Sequence, residues 1–384
     1  MEDILILSED GKTLLGVKDK SIREVVIPDG VEIIGENAFD DCDNLENIDM
    51  PDSIVSIGQE AFYRCTSLQN IYIPESLSFL GEAAFMFCSS LQSINIPSGI
   101  TSIGESTFSG CSSLLFINVP NSVTDINVTA FGGCSSLHDI YIPSSVAYID
   151  ETAFDYCSSL RNIYVASDNL NYTSVDGILF SKKMDKIVRV PSNKKIKDYQ
   201  IPDGVVSIGD WAFWGCLNLS RIRFPKSVIS IGLSAFERCS SLHDISIPNN
   251  ISFIGSRAFM FCSSLQNIEL SACITSIKEA TFSGCSSLQN ICIPDTVVSI
   301  DNQAFNGCSF LQRVALPKNL TSIGSGAFYN CSSLRDIVIN DGVAHIFDCA
   351  FYGCSSLMRI DIPKSVNHIG YNAFNDCPAV LIYH

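Results

Sequence analysis

A phenylalanine that recurs every 23 residues constrains the fold of this chain more than any other feature of its sequence. The spacing is interrupted once and then resumes, so that fourteen copies of one pattern are present. The recurring residues are Phe39, Phe62, Phe85, Phe108, Phe131 and Phe154, followed by Phe213, Phe236, Phe259, Phe282, Phe305, Phe328, Phe351 and Phe374. A fixed period of this length is typical of repeat proteins, and it predicts a stacked array in place of separate globular domains.

Each copy carries the same apolar spacing after its phenylalanine. The copy at residues 62–84 contains Leu68-x-x-Ile71-x-Ile73-Pro74, in which Ile71 and Ile73 alternate as in a strand. A proline has no backbone N–H to donate to a strand ladder, so we expect Pro74 and its equivalents to end the strand. The pattern therefore predicts one short strand in each repeat.

A glycine, asparagine or aspartate follows the next apolar pair in most copies, for example Gly58, Gly81 and Asn127. These residue types tolerate positive φ, so we expect a tight left-handed corner at this position, although Lys278 and Phe347 break the rule. The stretch Ala-Phe-x-x-Cys-x-x-Leu that follows spaces its apolar residues by three, which indicates a single helical or 3₁₀ turn.

A unit of 23 residues cannot bury its own apolar face, but stacked units align Phe on Phe and Ile on Ile in continuous ladders. The chain also contains two similar openings, since Ile27-Pro-Asp-Gly30 recurs as Ile201-Pro-Asp-Gly204 after a second hairpin-like segment. We therefore expect one continuous solenoid in four parts. These are an N-terminal β-hairpin cap (1–26), six repeats (27–165), an inserted β-hairpin (166–201) whose strands 175–181 and 186–190 flank a turn, and eight repeats (202–384).

The combined signature Leu-x-x-Ile-x-Ile-Pro-x-x-Val-x-x-Ile-Gly-x-x-Ala-Phe-x-x-Cys resembles the BspA-like class of bacterial leucine-rich repeats, from about residue 25 to residue 377. This resemblance implies a mainly β leucine-rich repeat solenoid, curved as a right-handed arc. It places a parallel β-sheet on the concave face and short turns or 3₁₀ segments on the other side. Members of the class are mostly secreted or attached to the surface of host-associated bacteria and act in adhesion, and the class has no catalytic residues to transfer.

Composition and charge exclude several classes of function. The chain is 46% hydrophobic and 17% charged, which is too apolar for a disordered protein. Its net charge of −17 repels phosphate backbones and anionic headgroups, so we expect neither a nucleic acid partner nor binding to a membrane surface. No run approaches the roughly 18 apolar residues that a membrane span needs, so we expect no membrane insertion. The early apolar run at residues 4–7 is too short for a signal peptide. The protein is therefore either intracellular or has had a leader removed, and its localisation stays open.

Fourteen of the 17 cysteines stand three residues after a repeat phenylalanine, and no Cys-x-x-Cys pair occurs. Parallel Cβ vectors in stacked repeats seldom give a disulfide dihedral, so we expect free thiols in the core. His345, Cys349, Cys354 and His368 lie close in sequence, but Cys354 is an inward position, so we expect neither a metal nor a cofactor. No serine, histidine and carboxylate share a catalytic spacing, and we expect no enzyme activity.

The outward positions of the strands carry the candidate binding residues. If Leu68, Ile71 and Ile73 point inward, alternation sends Asn70 and Tyr72 outward. The candidate ligand-binding residues at such positions are Tyr72, Asn95, Phe116, Asn118, Tyr141 and Tyr164. Exposed aromatic side chains beside amides are typical of recognition surfaces. The alternative is that aromatic and asparagine ladders simply stabilise the sheet. The equivalent positions of the second block alternate arginine with acidic residues, which can neutralise each other.

A basic segment lies within the inserted hairpin. It contains Lys182, Lys183, Lys186, Arg189, Lys194, Lys195 and Lys197. It is either a solvated hairpin tip or a docking patch for an acidic partner, which would stand out on so negative a molecule.

These observations favour a non-enzymatic, monomeric binding or adhesion protein that uses its concave sheet for a protein partner. A carbohydrate-binding surface protein is the alternative, because the same aromatic and amide side chains suit a glycan. An intracellular interaction scaffold is a third hypothesis.

Overall fold

The computed structural model describes residues 4–384. They form two compact units, each described here by itself. The first unit comprises the described residues up to Lys183 together with Pro191–Asn193, and the second comprises Met184–Val190 and Lys194–His384. Both units consist of short β-strands joined by turns, and no residue from 4 to 384 lies in a helix. This part of the chain accordingly holds no helix that is long and apolar enough to cross a membrane.

The strands of the first unit are mostly two to four residues long. They are β1 (Leu5–Leu7), β2 (Thr13–Val17), β3 (Glu24–Val26), β4 (Ile33–Ile34), β5 (Asn47–Asp49), β6 (Ser56–Ile57), β7 (Asn70–Ile71), β8 (Phe79–Leu80), β9 (Ser93–Ile94), β10 (Ser102–Ile103), β11 (Asp125–Ile126), β12 (Asp139–Ile142), β13 (Tyr148–Ile149), β14 (Asn162–Val165), β15 (Tyr172–Val175) and β16 (Ile178–Ser181).

The second unit repeats the same alternation of strands. Its strands are β17 (Lys186–Arg189), β18 (Asp198–Gln200), β19 (Ser207–Ile208), β20 (Arg221–Arg223), β21 (Ser230–Ile231), β22 (Asp244–Ile245), β23 (Phe253–Ile254), β24 (Asn267–Glu269), β25 (Ser276–Ile277), β26 (Asn290–Cys292), β27 (Ser299–Ile300), β28 (Arg313–Val314), β29 (Ser322–Ile323), β30 (Asp336–Ile337), β31 (His345–Ile346), β32 (Arg359–Ile362), β33 (His368–Ile369) and β34 (Val380–Tyr383).

Most repeats contain two strands, so the prediction of a single strand in each repeat was wrong. The motif strand carries the Leu-x-x-Ile-x-Ile spacing, and a companion strand precedes each repeat phenylalanine. Motif strands pair in parallel ladders β3–β5, β7–β9 and β12–β14 in the first unit, and β18–β20–β22, β24–β26, β28–β30 and β32–β34 in the second. Companion strands pair in ladders β4–β6–β8 and β10–β11–β13, and β19–β21–β23 and β25–β27–β29–β31–β33.

Within each parallel ladder of repeats a strand pairs with its equivalent in the next repeat, so residue i faces residue i+23, as Ile57 faces Leu80. The proline ends the motif strand as expected, and Leu77 N–H donates to the Pro74 carbonyl (3.1 Å) in the turn that leads to the companion strand. Side chains between the two kinds of strand are therefore enclosed in each repeat.

The core of each unit is a stack of the repeat phenylalanines. Neighbouring rings are nearly parallel, with centroids 5.1 Å apart for Phe62 and Phe85 and 5.8 Å apart for Phe131 and Phe154. Leu68 is fully buried and Ile71 and Ile73 are nearly so, while Tyr72 between them is 59% exposed. The predicted division into inward and outward positions is confirmed.

The segment after each phenylalanine is a series of turns without a helix. Cys65 N–H donates to Phe62 O (3.2 Å) and Leu68 N–H donates to Cys65 O (3.2 Å), as in 3₁₀ geometry. Phe62 N–H instead donates to Ala84 O of the next repeat (2.8 Å). Backbone hydrogen bonds within a repeat alternate with hydrogen bonds to the next repeat, so no continuous helix forms.

The corner glycines have a different role from the one predicted. Gly81 does not have a positive φ, and a Cβ added to it would lie 2.4 Å from Gln59 N and 2.5 Å from Gly58 C in the preceding repeat. The prediction of a left-handed corner was therefore wrong, and close contact between stacked backbones excludes a side chain there.

The left-handed residues lie two positions after this glycine and two positions after the phenylalanine. Ala83 (φ 52°) and Phe87 (φ 62°) are the pair in one repeat, and Arg257 (φ 58°) and Phe261 (φ 59°) are the pair in another. Many of these residues are not glycine, which is why their conformation was missed from the sequence.

Hairpins lie at the two irregular segments. β1 and β2 pair antiparallel, with Leu5 facing Val17. β15 and β16 also pair antiparallel, through a turn in which Asp176 and Gly177 both have positive φ, as an Asp-Gly hairpin turn requires. The prediction of one strand over residues 175–181 was wrong, because this turn divides it.

Candidate functional site

We define the first motif face as the outward side chains of the motif strands between residues 70 and 164. Its members are Asn70, Tyr72, Ser93, Asn95, Phe116, Asn118, Asp139, Tyr141, Asn162 and Tyr164. The four aromatic side chains are 59% (Tyr72), 63% (Phe116), 51% (Tyr141) and 47% (Tyr164) exposed. Each of the four therefore presents about half or more of its surface to solvent.

An open depression lies on this face, with a volume of about 470 Å³. Tyr72 and Phe116 line it together with the polar side chains of Asn70, Ser93 and Asn118. Four of the six predicted candidates therefore line this depression, because Asn95 also belongs to its lining. Tyr141 and Tyr164 lie further along the face, as cross-strand neighbours in the β12–β14 ladder.

The Asn95 side chain is engaged by the backbone of the preceding repeat. Its Nδ2 donates to Ile73 O (2.9 Å), and its Oδ1 accepts from Ile73 N (3.2 Å). This amide takes the place of a backbone partner beside β7, where the regular ladder stops. Asn95 thus has a structural role, which its residue type alone did not reveal.

Other polar side chains of the first motif face bond to each other across neighbouring repeats. Ser93 Oγ donates to Asn70 Oδ1 (3.1 Å), and Asn162 Nδ2 donates to Asp139 Oδ1 (2.6 Å). These bonds hold the polar groups in place between the aromatic side chains.

We define the second motif face as the equivalent side chains of the second unit, from Asp198 to Asp361. Arg223 Nη2 lies 2.7 Å from Asp198 Oδ2, and Arg313 Nε lies 3.2 Å from Asp336 Oδ2. The predicted pairing of arginine with an acidic residue at these outward positions is observed for Arg313 and Asp336, while Arg223 pairs with Asp198 on β18. Cys292, expected to face outward, is exposed.

The two units allow a comparison within one chain, because Ile27 and Ile201 begin matching sequences 174 residues apart. At this offset all twelve outward motif positions from Asn47 to Tyr164 hold a different residue in the second unit. Tyr141 and Tyr164, for example, become Ala315 and Val338. Outward positions of the companion strands are better retained, as Ser78-Phe79 recurs as Ser252-Phe253. The motif faces have therefore diverged more than the surface beside them.

This comparison bears on the role of the aromatic side chains. Ala315 and Val338 occupy the positions of Tyr141 and Tyr164 in strands that stack with the same 23-residue register. The register of the sheet is therefore compatible with an aliphatic side chain at these positions.

The basic segment is only partly exposed. Lys182 and Lys183 are exposed in the first unit, and Lys195 and Lys197 are exposed in the second, while Lys186 and Lys194 are half-buried. Arg189 is 2% exposed, and its Nη1 donates to Trp211 O (3.1 Å). Its inclusion in a docking patch was wrong, because this side chain supports the backbone inside the second unit.

The histidines and cysteines considered as metal ligands differ in their exposure to solvent. His345 and His368 are exposed cross-strand neighbours with ring centroids 6.1 Å apart, whereas Cys354 is fully buried. Among the described residues no group of three or more His, Cys, Asp or Glu side chains is placed to hold a metal ion.

The stacked parallel ladders and the Leu-x-x-Ile-x-Ile motif strands define a leucine-rich repeat solenoid. Leucine-rich repeat proteins generally act as non-enzymatic binding scaffolds. The family model described as a BspA type leucine rich repeat region matches residues 17–138, 80–199, 190–291 and 275–381. The chain therefore belongs to the BspA-type leucine-rich repeat family.

Several solved structures of leucine-rich repeat proteins are similar to this chain. A leucine-rich cell surface protein from Faecalibacterium prausnitzii is 31% identical with a TM-score of 0.64, over 86% of this chain and 91% of that one. A leucine-rich repeat protein from Bacteroides ovatus is 26% identical with a TM-score of 0.52, over 99% and 97%. One from Eubacterium ventriosum, 23% identical with a TM-score of 0.60 over 95% and 88%, is similar in fold. No curated protein matches the sequence significantly.

Proposed function

We propose that this protein is a non-enzymatic binding protein of the adhesin type, and that its first motif face binds a protein partner. The observation that supports this most directly is the set of four exposed aromatic side chains at positions where the second unit has none. The second unit forms the same motif strands with Ser246, Asn290, Ala315 and Val338 at those positions, which supports a role in binding for the aromatic residues of the first unit.

The chemistry of the face suits a protein surface. Tyrosine and phenylalanine supply a large contact area with little loss of side-chain entropy, and tyrosine is enriched among residues that dominate binding energy. Tyr72 and Tyr164 are four repeats apart, which corresponds to about 20 Å at the spacing of parallel strands. A row of this length matches the width of an ordinary protein interface.

Carbohydrate is the second candidate ligand. The depression between Tyr72 and Phe116 combines aromatic side chains with the amides of Asn70 and Asn118, and a sugar ring stacks on aromatic faces while its hydroxyls bond to amides. This candidate concerns the depression alone, whereas the protein hypothesis also uses Tyr141 and Tyr164.

The test compares binding to immobilised extracellular-matrix proteins with binding to a glycan array. The double variant Tyr141→Ala/Tyr164→Ala should bind matrix proteins at least about tenfold more weakly than the parent protein. The matched control is Tyr371→Ala, which removes a side chain that is 77% exposed outside the first motif face and should leave binding unchanged.

Three results would contradict the proposal. The first is a parent protein that binds no matrix protein, and the second is a double variant that binds normally. The third is a loss of binding when Lys182, Lys183, Lys195 and Lys197 become Gln while the tyrosine variant is unaffected, which would locate the site in the basic segment. Binding to the glycan array alone would favour the second candidate.

A further inference from the structure

A second open depression lies on the second motif face, inside the second unit. Its volume is about 480 Å³, and its lining includes Arg221, Arg223, Phe224, Ser246 and Pro248. Arg221 and Arg223 stand two residues apart on β20, so their side chains project from the same side of the strand. Two guanidinium groups therefore border one cavity whose volume suits a small ligand or a short peptide segment.

The first unit has no equivalent of this arginine pair. The residues 174 positions earlier are Asn47 and Asp49, so a neutral and a negative side chain correspond to two positive ones. Asp198, which lies beside the arginines, corresponds to Glu24, and the acidic residue is thus retained between the units. The change from Asn47 and Asp49 to two arginines lies at outward positions of the motif strand. It replaces a negative net charge with a positive one there.

The geometry around Asp198 holds both arginines at the cavity. Asp198 Oδ2 lies 2.7 Å from Arg223 Nη2 and 3.9 Å from Arg221 Nη1. All three side chains are about half exposed, and exposed ion pairs of this kind are weak. Asp198 therefore orients both guanidinium groups, each of which carries five N–H donors.

The charge of the whole chain makes this pair distinctive. With a net charge of −17, most of the surface repels anions. Arginine forms two parallel hydrogen bonds to a carboxylate, which adds direction to the charge attraction. Phe224 and Pro248 add apolar surface to the same cavity, and Ser246 adds a hydroxyl group.

We propose that this depression is a second binding site, specific for a carboxylate group of a peptide. The carboxylate bonds to Arg221 and Arg223, and the adjoining peptide residue packs against Phe224 and Pro248. The carboxylate comes either from the C-terminus of the peptide or from an aspartate or glutamate side chain. The site goes beyond the proposed function, since it uses the second unit only and does not depend on the first motif face.

Isothermal titration calorimetry with three synthetic peptides tests the site. The first is acetyl-Ser-Gly-Tyr-Gly-Ser with a free C-terminal carboxylate, and the second is the same peptide with a C-terminal amide. The third is acetyl-Glu-Gly-Tyr-Gly-Glu amide. We expect the first or the third to bind and the second not to bind, and the comparison of the first with the third identifies the source of the carboxylate.

Two variants locate the binding. Arg221→Gln/Arg223→Gln should weaken binding at least tenfold, and Ser246→Trp should do the same by filling the cavity without changing its charge. The matched control Arg313→Gln removes an arginine of the same face that lies outside the depression, and should bind normally. Tyr141→Ala/Tyr164→Ala should also bind normally, so a failure of the first motif face leaves this test intact.

The proposal is overturned if the amidated neutral peptide binds as well as the acidic ones, or if no peptide binds the parent protein. It is equally overturned if Arg313→Gln weakens binding as much as the double arginine variant, because the effect would then reflect general charge. Thermal melts of each variant check that the exposed substitutions leave the fold intact.

Discussion

The thiol of Cys88 donates a hydrogen bond to the carbonyl oxygen of Phe62 in the preceding repeat, with Sγ and O 3.1 Å apart. The same bond joins Cys111 to Phe85 and Cys134 to Phe108. This carbonyl lies in the core and also accepts the Cys65 N–H (3.2 Å), so the thiol supplies a second hydrogen bond to the same oxygen. A cysteine at this position is small enough for the core and also supplies a donor, which explains its recurrence better than size alone.

We predict that the native protein has few reactive thiols. Cys273 and Cys292 are exposed and Cys349 and Cys377 are partly exposed, while the other cysteines are buried. A titration with a thiol reagent should therefore modify at most four groups in the native state and nearly all 17 after denaturation. An intact mass that reveals several disulfides between neighbouring repeats would contradict this prediction.

We predict that the stability falls at alkaline pH. Burial raises the pKa of Cys111, Cys216 and Cys285 to about 12, from an ordinary value of 9.0. The folded state therefore holds these protons while the unfolded chain releases them. The stabilisation is complete below about pH 9 and is lost as the pH rises toward 12, by about 1.4 kcal/mol per thiol and pH unit.

The measurement is the thermal unfolding midpoint between pH 8 and pH 11. The control variant Cys111→Ala/Cys285→Ala should have a shallower decline, whatever its starting stability, because two of the titrating groups are absent. A midpoint independent of pH across this interval would rule out a contribution from the buried thiols.

We predict that Phe131→Ala destabilises the protein far more than Tyr141→Ala. Phe131 is fully buried between Phe108 and Phe154, whereas Tyr141 is 51% exposed. The first substitution should cost about 3 to 5 kcal/mol and the second about 0.5 kcal/mol or less. Chemical denaturation of the two variants measures the difference, and equal shifts would refute the assignment of inward and outward positions.

We predict that two corner glycines differ sharply in their tolerance of alanine. A Cβ on Gly81 would meet backbone atoms at 2.4 to 2.7 Å, whereas a Cβ on Gly104 would meet Glu82 Cγ and Thr107 Oγ1 at 3.4 Å. Gly81→Ala should destabilise the fold by about 1 to 3 kcal/mol or more. Gly104→Ala should be close to neutral, since it reduces the entropy of the unfolded chain. Similar denaturation midpoints would mean that the stacked backbones separate easily.

Much of the fold was predictable because one short apolar pattern recurs in fourteen repeats. A single Leu68-x-x-Ile71-x-Ile73 could belong to many structures, but its recurrence at one period leaves only a stacked array. The companion strand Ser56–Ile57 was missed, since two residues are too few to alternate. The division of the chain into caps and repeat blocks at 26, 165 and 201 stays a prediction.

For the candidate site, the sequence predicted only which side chains point outward. Alternation identified Tyr72 as outward, but it could not reveal that Asn95 bonds to the Ile73 backbone or that Arg189 turns inward to Trp211 O. Both depend on contacts between neighbouring repeats, which have no signature in the local sequence. The depressions likewise arise from the relative sizes of side chains on successive strands.

The left-handed residues of the turn segments have a practical consequence for protein engineering. Positions such as Arg64 and Arg238 keep one backbone conformation whatever the side chain, since Gly110 and Gly133 adopt it at the same place in other repeats. These positions therefore provide a regular series of attachment points, one in each repeat, outside the motif strands. Dyes, tags or cross-linkers placed there through introduced cysteines would lie one repeat apart within each unit, and both motif faces would stay unmodified once the exposed Cys292 of the second motif face is replaced by serine.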